Sequence, residues 1–429
     1  MEKLGIPTVT IATTEFLPLA RGTMEGRGLA DMAFVSVPHP MGMIPLNEIR
    51  AKADNAFPDI LKAATAWKPT RTRIPGLGKK PYPAERIKFK GTYESLYELF
   101  WDKKWTPGLP IVPPTTEAVA AMLKGTKHKP DEVVWIVPPR EGVLTVELVA
   151  VLGVMAGCKP EYMPLMLAII EAMGDEKFGW RGQTTTTNPT APLVIVNGPI
   201  RDELGIAYGT GAAGGWYHPN VSIGYFINLV GDIVGGSKPP TPDKSTLGQV
   251  GNIIATVIGE NEKENPWGPY HVENGFATTD NVVTLFDSVM PTNNVDHASV
   301  ESTRLATNLA YTMNNAGQNS HCFYKNQVVW VISPEHAATL YRGFKTKADL
   351  QKFLWEKARV PLWSLPPWPG LTGCKPPDSF GPYTEDSMIP VTDKPQGIQI
   401  IVSGGPGKHS QYFQSFTNPI VMRKIDPWR

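Results

Sequence analysis

The 429-residue chain is short of cysteine, of charge asymmetry and of long apolar runs. Its three cysteines, Cys158, Cys322 and Cys374, are odd in number and widely spaced. That argues against a disulfide framework and a C-x-x-C zinc site, and it suits reduced thiols. With 41 Lys+Arg against 40 Asp+Glu the formal charge is +1, unlike the strongly basic domain of a dedicated nucleic-acid binder. The longest apolar stretch, Leu148 to Cys158, falls well short of the ~20 residues a helix needs to span a bilayer. No signal-peptide core follows Met1, so a cytoplasmic protein is expected. Neither G-x-S-x-G nor H-E-x-x-H occurs, which removes support for the common serine hydrolases and zincins. No repeat of fixed period is visible. What the chain does have is 42 prolines, 40 glycines, 12 tryptophans and 41% hydrophobic residues. Such a chain folds, with many turns.

Along the sequence, Ile6–Ala12 and Met32–Val37 read as strands around a helix-compatible Thr14–Leu29, and Asn47–Trp67 reads as an amphipathic helix. Residues 1–66 are therefore a partial Rossmann-like βαβ module. Trp67–Lys90 holds eight basic residues against one acid, Glu85, a local +7 that the rest of the chain must offset. It is broken by prolines and glycines and reads as an interdomain linker, either simply solvated or a docking strip for an acidic partner or phosphorylated ligand. Residues 91–429 alternate again: strands at Val133–Val137, Leu193–Val196, Val328–Ile332 and, last, Gln399–Val402, with helices at Thr145–Ala156, Pro160–Met173 and Lys347–Ala358. The expected fold is α/β: the N-terminal βαβ module plus a larger α/β domain with mostly parallel strands.

Ligands of open α/β sheets gather at the carboxyl ends of strands. Those ends carry His39 (VPHP), Asn197 (VNGP), His336 (SPEH) and Lys408-His409-Ser410 (GGPGKHS). The last is not a P-loop, because His409 separates the lysine from Ser410. Its glycines, Gly404, Gly405 and Gly407, would nevertheless present N–H groups to an anion, ahead of a possible helix. Gly209–Gly214 matches G-x-G-x-x-G without the strand that a nicotinamide fingerprint requires. It is expected to be a glycine loop carrying His218 and Asn220. Cys158 lies between the C-capping Gly157 and Pro160 at a helix start, beside Lys159. Both features lower a thiol pKa, whereas the alternative is a buried, inert cysteine. Cys322 beside His321 is a weaker candidate. Finally, Glu260-Asn261-Glu262-Lys263-Glu264 with His271, His297 and the more distant His218 offers carboxylates and imidazoles for a divalent metal or for acid–base work, without a known metal spacing.

Gly5–Gly42 (GIPTVTIATTEF…FVSVPHPMG) resembles the second half of the UGSC-motif family, α/β proteins named for a selenocysteine/cysteine-Gly-Ser-Cys motif. Later stretches, among them VMAGCKPEYMP, TTNPTAPLVIVNGPI, ENEKENPWGPYHVENGF and GGPGKHSQYFQSF, resemble a large domain found fused to or beside that module in bacterial proteins. In the family the motif loop lies upstream of the GIPTV strand. Here Met1 stands just before it, so the resemblance implies either a lost loop or a small subunit that supplies it in a higher hetero-oligomer.

The leading expectation is the large subunit of a bacterial enzyme acting on a small polar or anionic molecule by thiol-dependent reductive or lyase-type cleavage. Cys158 would be the thiol, His39, His409 and Ser410 the acid–base groups, and Asn197, Gly404, Gly405 and Gly407 the cradle. The alternatives are a metal-dependent hydrolase or hydratase using His218, Glu260, His271 and His297, or a non-catalytic ligand-binding subunit. No membrane or nucleic acid is expected as a partner.

Overall fold

The computed structural model describes residues 6, 8–29, 31–42, 44–66, 82–240, 242–321, 327–366, 381–416 and 418–429. Cys322, Cys374 and most of the basic linker lie outside the described residues.

In the N-terminal module β1 (Thr10–Thr13) and β2 (Phe34–Val37) pair in parallel, as a βαβ unit requires, with α1 (Leu17–Gly26) between them. The amphipathic helix α2 (Leu46–Thr65) packs Ala56, Ile60 and Ala63 against Val35 and Val37. Leu46 and Phe57, each 61% exposed, and Leu61 are left uncovered on its other side.

Next come α3 (Tyr93–Asp102), α4 (Thr116–Met122), and a hairpin of β3 (Val133–Val137) and β4 (Gly142–Thr145). Helices α5 (Val146–Met155) and α6 (Met163–Gly174) follow, and α6 is apolar all round. A helix of that pattern must be covered on every side. Here α6 sits inside a core together with α5 and α7 (His218–Leu229).

Two four-stranded sheets form the centre. One has the order β14-β7-β5-β6 and the other β12-β9-β13-β8. The strands are β5 (Ala191–Asn197), β6 (Thr256–Gly259), β7 (Val282–Ser288), β8 (Thr292–Val295), β9 (Val328–Ile332), β12 (Ile398–Val402), β13 (His409–Phe413) and β14 (Val421–Lys424). A small separate pair, β10 (Arg359–Pro361) with β11 (Met388–Pro390), borders them. The period-2 alternation of side chains decides the layering. Leu193, Ile195, Ile258 and Phe286 of the first sheet meet Val329, Ile401 and Phe413 of the second. Val194, Val196, Val257 and Leu285 point the other way, onto α5, α6 and α7. Trp330, Ile332, Ile400 and Tyr412 face α8 (Ser302–Thr312), α9 (Pro334–Gly343) and α10 (Lys347–Lys357). The result is helices, sheet, sheet, helices.

The α/β expectation holds, but the strands are not mostly parallel: three of the nine pairings among described residues are. The short 403–408 turn cannot return the chain to the start of the sheet, so β13 runs back. Nor is Gln399–Val402 the last strand, since β13 and β14 follow.

The two sheets are built alike. In the first, Val194 of β5 faces Val257 of its parallel neighbour and Leu285 of its antiparallel one. In the second, Trp330 of β9 faces Ile400 and Tyr412 in the same senses. Each sheet is completed by the other half's last strand: β14 pairs with β7, and β8 with β13. At the crossing Ser288 bridges Ser415, Val289 N donates to Gln414 O (2.9 Å), and Phe416 N donates to Asp287 O (3.2 Å). Those two bonds flank one antiparallel bridge, and the matching neighbours of β5 and β9 relate the two sheets by a pseudo-twofold. The equivalents Val257 and Ile400 are 143 apart and Val194 and Trp330 136 apart. Unequal connections therefore hide the repeat from any search for a fixed period.

Burial also predicts an acid response. His321 is buried, with Nδ1 3.0 Å from the Pro390 carbonyl, and desolvation pulls its imidazole from 6.5 down to about 4. The unfolded ring protonates first as pH falls, so the stability present above pH 6.5 is lost progressively down to about pH 4, by roughly 3 kcal/mol. His271 and His336 are shifted the same way. Urea midpoints at pH 7 and 4.5 should differ less in His321→Gln than in the wild type; equal differences would contradict this assignment.

Candidate functional site

The carboxyl ends of β5, β6 and β12 meet where the two sheets touch. Asn261 N donates to Val402 O (2.7 Å), and Ser403 Oγ donates to Gly259 O (2.8 Å). Chain turns crowd here. A Cβ on Gly405 would come 2.0 Å from Thr210 Oγ1, so the 209–214 and 404–407 loops touch through glycine. Gly198 has φ +87°, and a Cβ there would meet Asp280 O at 2.2 Å.

Glu260, directly after β6, is fully buried. Its Oε1 accepts from Asn265 Nδ2 (2.7 Å), and its Oε2 from Asn197 Nδ2 (2.6 Å) and Tyr270 N (2.7 Å). Desolvation pushes its carboxyl upward; Lys347 and the three N–H donors oppose this. Glu262 Oε1 accepts from Gly198 N (2.8 Å) and Asn197 Nδ2 (3.0 Å), with Arg201 Nη1 at 3.4 Å and His271 Nδ1 at 4.0 Å. Arg201 also donates to the Glu260 carbonyl and lies over the Tyr208 ring, 4.1 Å from its centroid.

His271 is fully buried, yet neither ring nitrogen has a hydrogen-bond partner. Burial pulls its imidazole below the ordinary value, against Glu262 and the Thr278 and Ala277 carbonyls, neither of which is in hydrogen-bond geometry with the ring. Asn197 Oδ1 and Arg201 Nε are also buried and unpartnered, so four such atoms gather at one place. Buried polar groups are paired in the great majority of cases, and a cluster of exceptions points to a water or an ion. One ligand atom each from Glu260, Glu262 and His271 lies within 4.8 Å of the others, a set suited to a metal ion.

Residues 1–66 match the UGSC family. No curated protein and no solved structure matches the chain. The UGSC segment carries His39, whose Nδ1 lies 2.9 Å from Thr13 Oγ1 and whose ring lies against Phe16. Thr13, Thr14 and Phe16, its polar and ring partners, belong to that same segment.

The remaining expected site residues divide. Asn197, Glu260 and His271 come together; His218 and His297 do not join them, because each sits on a different element. His218 opens α7 and places Nδ1 3.2 Å from Tyr162 OH. Asn220 is buried and ties Ala207, Ala212 and Val257 together rather than reaching toward a ligand. Glu262 and Arg201 complete the site. The i, i+2 spacing of Glu262 from Glu260 was the only sequence signal for it, and nothing marked Arg201.

The lowered thiol pKa expected for Cys158 is corrected. Desolvation pushes the thiol up to about 12, with only the Ser222 hydroxyl opposing. Lys159 is exposed and lies 4.0 Å from Glu161. Iodoacetamide at pH 8 should therefore alkylate the Cys158 peptide at least tenfold more slowly in the folded chain than in urea. Equal rates by mass spectrometry would refute that burial.

The glycine cradle is also revised. Gly404 N donates to Tyr208 O (2.9 Å) and Gly407 N to Glu335 Oε1 (2.9 Å), and the loop runs into β13, not a helix. At the start of β13, His409 stacks edge-on to His297 with ring centroids 5.0 Å apart. Ser410 Oγ lies 2.8 Å from His336 Nδ1, and His336 Nε2 lies 3.2 Å from the Asp296 carbonyl. This resembles a nucleophile–base pair, but Ser410 Oγ also accepts from Ser333 N (3.2 Å), so the pair ties β13 to the start of α9.

Proposed function

We propose that the chain is an enzyme that hydrolyses or hydrates a small polar or anionic molecule with the help of a divalent cation held by Glu260, Glu262 and His271. The observation that carries this reading is the buried imidazole of His271, unpartnered on both nitrogens, next to two carboxylates. With Arg201 beside the pair, and Lys347 committed to Glu273 at 2.6 Å, the ionised set keeps net negative charge for a cation. Such an ion polarises a water or a carbonyl. His271, held neutral by burial, keeps a lone pair for ligation. The Arg201 guanidinium supplies positive charge toward an anionic substrate group.

Thiol-dependent reductive or lyase chemistry is the less favoured reading, since desolvation pushes the Cys158 thiol up to about 12 and so away from the reactive thiolate. The cation is tested by calorimetric titration of metal-free chain with Mn2+ and Zn2+, and by elemental analysis. One equivalent per chain is expected, weakened at least tenfold in His271→Ala; no stoichiometric binding would overturn the reading.

The two-stranded sheet of the UGSC segment and the uncovered Leu46, Phe57 and Leu61 support a partner subunit seated on that segment. Copurification of a small chain from the native source, lost in Phe57→Asp, is the expected result. Among the described residues no helix is long and apolar enough to cross a membrane; a cytoplasmic bacterial setting is part of the proposal.

A further inference from the structure

A cavity lies away from the carboxylate site, between α3, α4, α5 and the extended strap of residues 84–89, and holds about 520 Å³. That is within the size range of ligand pockets, roughly 300–1,000 Å³. Phe100, Val119, Leu152 and Met155 form buried parts of its wall, and Trp105 and Ile233 are half-buried beside them. Water in a space walled this way finds few hydrogen-bond partners. The surroundings therefore favour an apolar occupant.

The roof shows how an occupant would enter. Ala84 N donates to Glu147 Oε2 (2.7 Å) and Arg86 Nη2 to Glu147 Oε1 (2.6 Å), which pins one end of the strap to α5. Among the described residues, no hydrogen bond ties the stretch from Ile87 to Lys90 to the helices. Residues of extended backbone alternate sides. Ile87 and Phe89 line the cavity while staying partly open to solvent (46% and 42% exposed), the alternating Lys88 and Lys90 are exposed, and Arg86 at the pinned end is paired with Glu147. An apolar interior under a basic, loosely held roof matches one ligand chemistry: an apolar chain with an anionic head.

We propose that this cavity binds an anionic single-chain amphiphile, such as a medium-length fatty carboxylate, with the chain against α5 and the head near Arg86, Lys88 and Lys90. The binding would be independent of the carboxylate site.

Dodecanoate is the probe, titrated calorimetrically into the full chain below its micelle concentration, with dodecanol and dodecyltrimethylammonium as controls. One site per chain is expected, weakened at least tenfold by Val151→Trp, which fills the space, and several-fold by the surface double variant Lys88→Glu/Lys90→Glu. The double variant should leave dodecanol binding unchanged, so it remains informative should Val151→Trp fail to fold. Absence of dodecanoate binding, equal binding in the folded Val151→Trp chain, or equal affinity for the cationic amphiphile would each overturn the proposal. Mn2+ binding measured on the same samples separates this outcome from failure of the cation site.

Discussion

Replacing Glu260 with alanine is expected to lower the stability of the chain by about 3–5 kcal/mol, the scale seen when one member of a buried charged network is deleted. Glu260 Oε1 and Oε2 accept N–H bonds from Asn197, Asn265 and Tyr270, three groups drawn from different turns. Removing the acceptor leaves all three donors buried, each paying its own desolvation. Glu260→Gln keeps the volume and one carbonyl acceptor, so it should cost less than the alanine variant. It should nevertheless weaken Mn2+ binding at least as much as His271→Ala does, because a neutral amide gives up the charge. Urea unfolding and calorimetric titration of the two variants separate the roles. An unchanged midpoint in Glu260→Ala would show that the network holds nothing, and wild-type affinity in Glu260→Gln would remove Glu260 from the cation site. Cation affinity should also fall as pH drops, because burial raises the carboxyl and the proton then competes for the same oxygens.

The second large effect concerns the exchanged strands. Asp287 is buried at the pseudo-twofold crossing, where it accepts from Ser415 Oγ (2.8 Å), Asn418 N (2.8 Å) and Asn418 Nδ2 (2.8 Å). These bonds fix the turn by which the second half reaches back to lay β14 on β7. Asp287→Ala is expected to cost about 3 kcal/mol or more, since it strands several buried donors at once. Because each sheet is finished by the other half, the whole double layer should unfold in one transition. Tryptophan fluorescence and far-ultraviolet circular dichroism should give coincident midpoints, shifted together in the variant. Separate transitions would mean that the halves are independent and the exchange carries little of the stability.

Local sequence carried much of the architecture. Val133–Val137 and Val328–Ile332 are strands over the same bounds expected of them, and β5 extends the expected Leu193–Val196 by a few residues. Runs of β-branched residues bounded by proline or glycine have few other options. The missed strands, β13 (HSQYF) and β14 (VMRK), are short and half polar. Only pairing with β9, β8 and β7 makes them strands.

The candidate site follows the same division. Asn197 and Glu260 were legible because a strand that ends in a polar turn places that turn at a sheet edge, wherever the strand lies. Arg201 was not, because its role depends on Glu262 arriving from 61 positions further along the chain. Cys158 stayed open between a reactive thiolate and a buried cysteine for a related reason: a helix start and a neighbouring lysine are local, whereas the burial that pushes its thiol to about 12 comes from packing among distant helices.

The sequence by itself determined the class of the fold, the UGSC segment, and which polar residues stand at strand ends, because these depend on side-chain periodicity and turn chemistry within a few residues. Tertiary structure alone decided that two similar halves exchange an edge strand, that Asn197 and Arg201 join Glu260, Glu262 and His271 while His218 and His297 stand elsewhere, and that an apolar cavity opens beneath a basic strap. Each of those depends on pairing and burial between segments tens to more than a hundred residues apart, and no local pattern encodes a distance of that kind.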